Sequence, residues 1–189
     1  MENATRQTTA LRTLAISPGT REMGFAVLES TDLLYFGVHT FKHRQSTRRL
    51  LAEGQQFIQG LIDTFAPQAF VIEKTWFAHS TRSARLRGFV EAMQRSALRQ
   101  GLTVLTYTSP VVKKMLCGHG QVTKRAVAET LVRKHYSYLA KYLRRDLRTR
   151  DRYWQHMFDA VALGLTGCEE ASRTCMAVQA DPTPQALYP

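Results

Sequence analysis

The strongest constraint on the fold is the mostly apolar run Leu11–Ser17, which halts at Pro18-Gly19 and resumes as Met23–Glu29. Runs this short, bounded by helix breakers, are read as buried strands, because too few residues lie between the breakers to make a stable helix. Leu33–Phe41 follows after one more short break. The spacing therefore predicts three consecutive antiparallel strands joined by tight turns.

The rest of the chain supplies what must cover such a sheet. Ser46 or Thr47 is placed to cap a helix running to about Phe65, with an apolar stripe of Leu50, Leu51, Phe57, Ile58, Leu61, Ile62 and Phe65, and Pro67 marks its stop. Ala69–Glu73 is a short, almost wholly apolar run of the kind found in buried parallel strands. Ser80 opens a helix to about Gln100, on which Ala84, Gly88, Ala92 and Ser96 form a ridge of small residues that admits a second helix at close range. Thr103–Thr108 reads as a strand. Ser109 is expected as the cap of a short helix with Pro110 at its first position, ended by Gly118-His119-Gly120. Thr123 starts another helix through about Tyr138, and a last one is expected from about Trp154 to Gly167. Strands first clustered and then alternating with helices predict an α/β fold, a mixed sheet with helices on both faces.

A chain of 189 residues with 44% hydrophobic content buries one core, so one domain is expected over 11–170, after a loose segment 1–10. The tail 176–189 carries three prolines in fourteen residues and is expected to be poorly ordered. No apolar stretch reaches the roughly 18 residues needed to cross a bilayer, and the N-terminus lacks a signal-peptide core. Cys117, Cys168 and Cys175 have no metal-ligand spacing and read as reduced thiols of an intracellular protein.

The balance of 26 Lys+Arg against 15 Asp+Glu, a formal charge of +11, favours nucleic acid over acidic metabolites or a membrane surface. Its distribution sharpens that reading. From Arg133 to Arg152 there are eight Lys/Arg against Asp146 and Asp151, interleaved with Tyr136, Tyr138 and Tyr142. Charge mixed with stacking groups is how phosphate-tracking surfaces are built.

Against this basic background a few polar residues sit in apolar company. Glu73 ends the run Ala69–Ile72, and Asp159 interrupts Met157–Leu163, where an unpaired carboxylate is costly. Adjacent strands bring Ser17 and Glu73 to one edge of the sheet, while His156 and Asp159, three apart, share one face of the last helix. Ala160 and Gly164 let that helix lie close to the strands. Phosphodiester hydrolysis by two metal ions needs such a cluster, with one carboxylate bridging both ions. Mg²⁺ favours oxygen ligands and keeps several waters, so few protein groups suffice.

Several motifs in one order now point the same way. Ile16-Ser17-Pro18-Gly19-Thr20 with Gly24-Phe25-Ala26-Val27 resembles the opening strand-turn-strand of RuvC-type Holliday junction resolvases, which have an RNase H-like fold. Val71-Ile72-Glu73 followed by Trp76-Phe77 is similar to their second motif, in which an aromatic wedges into the junction. Ser83–Gly88 resembles their dimer-forming helix, and Val112–Gly120 with Thr123-Lys124 resembles their lysine-bearing stretch and glycine loop. His156, Asp159 and Ala160 are similar to the last motif. The resemblance spans roughly 11–170.

It implies a homodimer, joined through helix 80–100, that resolves four-way or other branched DNA in recombination and repair, in the cytoplasm, the nucleoid or a DNA-containing organelle. It further implies two Mg²⁺ or Mn²⁺ ions per active site, held by position 17, Glu73, His156 and Asp159. Trp76 is expected as the wedge, with Phe77 beside it either in the core or against DNA. Lys113, Lys114, Lys124, Arg125, Arg144, Arg145 and Arg148 are expected to contact DNA. Two departures stand out. Position 17 is Ser where the resemblance calls for the Asp that touches both ions, and the stretch between Tyr136 and Trp154 is longer and more basic. A neutral hydroxyl bridges two divalent ions poorly. Two alternatives therefore stay open beside an active nuclease: a deliberately inactivated protein, and a natural pseudo-nuclease that binds branched DNA without cutting it. A likeness of Ser17–Thr20 to the phosphate loop of actin-like sugar kinases carries less, because those chains need two such lobes.

Overall fold

The computed structural model describes residues 11–43, 45–74, 81–143 and 148–179; the side chains of 81–83, 148–152 and 172–179 lie outside that description. Three strands open the fold, β1 (Arg12–Ser17), β2 (Glu22–Glu29) and β3 (Asp32–Thr40). They pair antiparallel in sequence order, as the turn spacing predicts. Helix α1 (Thr47–Phe65) follows, capped by Ser46, whose Oγ accepts the Arg49 N–H at 3.3 Å. Strand β4 (Ala69–Glu73) then returns parallel to β1, helix α2 (Thr81–Arg99) crosses back, and β5 (Thr103–Tyr107) completes the sheet parallel to β4. The order across the sheet is β3-β2-β1-β4-β5.

Alternation along the strands sorts residues between two cores. Leu14 and Ile16 of β1, Phe25 and Val27 of β2, and Phe70 and Ile72 of β4 pack with α1 and α2, where Leu50, Ile58, Phe89 and Met93 meet them. The opposite face carries smaller groups, Ala15, Gly24, Ala26 and Val71, and is covered by the long α6 (Arg148–Gln179) with α3 (Ser109–Cys117) and α4 (Lys124–Lys134). Between α4 and α6 lie a short 3-10 turn (Ser137–Leu139) and the single-turn α5 (Ala140–Leu143).

The small face lets α6 lie directly on the strands. A Cβ at Gly24 would sit 1.7 Å from the backbone oxygen of His156, and one at Gly164 would sit 2.3 Å from a Leu28 methyl. At Gly24 only hydrogen fits, because the clash is with backbone; at Gly164 a Cβ would force the Leu28 methyl aside, so the expected close approach through Gly164 holds and Gly24 adds a tighter one.

Several sequence expectations need correction. Thr108, not Ser109, is the N-cap of α3, and it makes no side-chain cap bond; Ser109 already lies in the helix. Helix α4 ends at Lys134 rather than near Tyr138, because the chain turns at His135 and Tyr136 into the 3-10 segment. Tyr136 is not a surface stacking group. It is 5% exposed, packs in the α6 core, and its hydroxyl donates to the Thr31 carbonyl at 2.7 Å. Helix α6 begins six residues before Trp154, at Arg148, and runs on to Gln179, beyond Gly167 and into the segment read as tail. The small-residue ridge on α2 is split: Ala84 is exposed, whereas Ala92 is buried in the core. Cys117 is a free thiol, and the buried Cys168 thiol donates to the Thr13 hydroxyl at 3.5 Å. Among the described residues, no helix is long and apolar enough to cross a membrane.

Candidate active site

The parallel register pairs Ile16 with Ile72, so Ser17 and Glu73 leave the sheet side by side at one edge. Glu73 lies opposite Tyr107 of β5, and the Lys74 N–H donates to the Tyr107 carbonyl at 2.8 Å, which fixes the chain just past the carboxylate. The contact of α6 with Gly24 brings His156 over the β1–β2 turn, where its imidazole approaches Gly19. Asp159, one turn further along α6, joins Glu73 in a small pocket lined by Ser109, Lys113 and Lys124. Glu73 and Asp159, far apart in sequence, thus line one pocket, with Ser17 beside Glu73 in the strand register and His156 over the β1–β2 turn.

Each polar partner of Asp159 can be named. Its Oδ1 accepts from the Gln155 amide at 2.8 Å, and its Oδ2 accepts from the Lys124 ammonium. Lys124 is the first residue of α4, held there by Thr123, whose hydroxyl accepts the Ala126 N–H at 3.1 Å. Sequence reasoning places Lys124 against phosphate. The structure brings it into the acidic cluster, a pairing across 35 residues that local pattern does not carry. Sequence reasoning passes over Gln155 altogether, although its i,i+4 spacing to Asp159 is a usable signal.

Electrostatics follow from this crowding. Burial pushes the Glu73 carboxyl above the ordinary glutamate range, and the nearby Asp159 charge pushes the same way, against the pull of Lys124 and Lys113. Burial opposes the charged form of Lys124, but Asp159 and Glu73 outweigh it and its ammonium is held more firmly than usual. Burial lowers the pKa of His156, with Lys124 adding to the effect and Asp159 and Glu22 opposing it. Its Nδ1 is buried and has no hydrogen-bond partner.

The donor set does not match a pair of divalent ions. Ser17 is 2% exposed and offers a neutral oxygen where a bridging carboxylate is required. Among the described residues, no three His, Cys, Asp or Glu side chains converge as a metal-binding group. An ammonium lies against the carboxylate of Asp159.

Of the residues expected on DNA, Lys113 lines the acidic pocket and Lys114 is exposed on α3. Arg125 is paired with Glu129 at 3.0 Å on the outer side of α4. Arg148 belongs to α6, although its side chain lies outside the description. Trp76, Phe77, Arg144 and Arg145 lie outside the described residues.

Comparison with known proteins agrees with this layout. The sequence profile of the family "Crossover junction endodeoxyribonuclease RuvC" matches residues 13–147. The crossover junction endodeoxyribonuclease RuvC of Roseiflexus sp. (strain RS-1) is 33% identical over 126 residues, covering 64% of this chain and 75% of that protein. That of Geobacter sulfurreducens is 30% identical over 127 residues, covering 63% and 76%. Among solved structures, Thermus thermophilus RuvC superposes with a TM-score of 0.69 at 22% identity, over 87% of this chain and 97% of that one. The fold is therefore shared over most of both chains. Members of this family are metal-dependent nucleases, and the match covers β1 through α5 in unbroken order, so this chain belongs to the RuvC family of crossover junction endodeoxyribonucleases.

Proposed function

We propose that this chain is an intracellular, branched-DNA-binding resolvase that recognises four-way junctions as a homodimer. The observation that carries the reading is the meeting of Glu73 and Asp159 beside Lys113 at the open edge of a RuvC-type sheet. Thermus thermophilus RuvC, its fold relative at a TM-score of 0.68, has been solved in complex with Holliday junction substrate. Two identical sites related by a two-fold axis match a two-fold junction and allow paired nicks. The expectation of two Mg²⁺ or Mn²⁺ ions applies to a form with a carboxylate at position 17. The formal charge of +11 supports backbone binding in either case.

A second reading is a junction-binding protein with little or no cleavage. The neutral, buried Ser17 favours it.

The test is junction binding and nicking by the full chain. Four-way junction should be bound more tightly than linear duplex of equal length; equal affinity for both would remove the branched-DNA reading. Ser17→Asp should raise Mg²⁺-dependent nicking by at least about a hundredfold, the scale of an electrostatic catalytic group. A variant that binds junctions but still does not cut would favour the second reading.

Assembly has its own test. A Cβ at Gly88 meets nothing within 4 Å, so a side chain there starts into open space in the monomer. Gly88→Trp should leave thermal stability of the monomer intact and shift sedimentation from dimer to monomer. A wild-type chain that stays monomeric with and without junction would remove the paired-nick mechanism.

A further inference from the structure

We propose that Lys124 is the resident cation of the acidic site, and that a divalent ion enters only by displacing its ammonium from Asp159. Both carboxylate oxygens of Asp159 are already engaged, Oδ1 by Gln155 at 2.8 Å and Oδ2 by Lys124. The Asp159 side chain is 14% exposed, whereas that of Lys124 is 50% exposed. The lysine therefore reaches in from the solvent edge on a flexible stem, in a position from which it can swing away. Its backbone end is fixed, because the Thr123 cap sets the start of α4 beside the pocket.

Charge balance explains why an ammonium suits this chain. Glu73 and Asp159 contribute two negative charges in a partly buried pocket, and position 17, being Ser, adds no third. One ammonium offsets much of that repulsion, while a pair of divalent ions would leave the pocket strongly positive. A carboxylate at position 17 and the ammonium of Lys124 thus act in opposite directions on the same equilibrium. Removing a like charge a few ångströms from a cation site strengthens cation binding by about tenfold or more, even at the high effective dielectric of a protein edge.

The inference rests on the functional reading only in assigning this pocket to DNA hydrolysis, and its test needs no DNA. Mn²⁺ binding to the full chain is followed by electron paramagnetic resonance for the wild type, Lys124→Met and Lys124→Arg, with circular dichroism as a folding check. Lys124→Met should bind Mn²⁺ about tenfold more tightly than the wild type. Lys124→Arg, which keeps the charge, should remain within about twofold of it. Unchanged or weaker Mn²⁺ binding by a folded Lys124→Met protein overturns the proposal, as does tightening by Lys124→Arg equal to that by Lys124→Met.

A measurement on the unaltered protein covers the case of a variant that does not fold. In a ¹⁵N-lysine spectrum, saturating Mg²⁺ should shift the Lys124 ammonium signal toward that of a free lysine. A Lys124 signal that stays in place while Mg²⁺ binds overturns the idea. Loss of junction selectivity would strike the functional reading alone, since the Mn²⁺ and Mg²⁺ results stand without it.

Discussion

The two faces of the sheet are packed by opposite means. On the α1/α2 face, large side chains such as Phe70, Ile72, Phe89 and Met93 fill the space between layers. On the α6 face, Ala15, Gly24, Ala26 and Gly164 clear the space so that backbone meets sheet. The first arrangement holds the fold together by buried apolar volume. The second carries His156 and Asp159 to the strand ends. Thickness is the difference that matters: a helix at ordinary separation would hold its polar groups away from Glu73.

The small-residue face is most vulnerable at Gly24. A Cβ there would overlap the His156 carbonyl, a clash between two backbones that no rotamer change relieves. Gly24→Val should lose on the order of 5 kcal/mol or fail to fold, beyond the common range for point changes. Urea denaturation checks this, and a stable variant would show that α6 does not depend on contact with β2.

The opposite face should respond by volume alone. Phe89→Ala removes a fully buried ring, and the cavity should cost about 3–5 kcal/mol. If the faces are separable, the folded fraction should keep wild-type affinity for junction DNA. A parallel drop in affinity, measured below the unfolding transition, would mean that the large-residue face also sets the site.

The mildest change concerns the rim of the small face. Lys113 lines the pocket and Lys114 is exposed beside it on α3. Replacing both with Gln should leave stability within about 0.5 kcal/mol, as surface changes do. It should lower the slope of log affinity against log salt by about 0.9 for each phosphate that is no longer neutralised. An unchanged slope would make these lysines a solvated face.

Much of this architecture is legible from local pattern. The strands announce themselves because apolar runs such as Leu14–Ile16 and Phe70–Ile72 are short and bounded by turn residues. Glu73 and Asp159 are legible because each carboxylate stands in apolar surroundings and must find a partner. What escapes is tertiary. The start of α6 is hidden by a charged stretch that reads equally well as loop. Tyr136 looks like part of a basic surface, since a tyrosine with one polar tip serves core and surface alike. The pairing of Lys124 with Asp159 joins two helices that no local pattern aligns to within a hydrogen bond. The steric reason for Gly24 is not legible either, because the atom it must avoid lies more than a hundred residues away.

The position of α6 at the end of the element order has a consequence for biosynthesis. Domains assemble as the chain emerges from the ribosome, N-terminal parts first. Strands β1 to β5 and the α1/α2 layer can form before α6 exists. Until it arrives, the small-residue face lacks its main cover and Glu73 has no companion carboxylate. A nascent chain therefore has a nearly finished sheet but no acidic cluster, and the site comes into being in the same docking event that seals the second core.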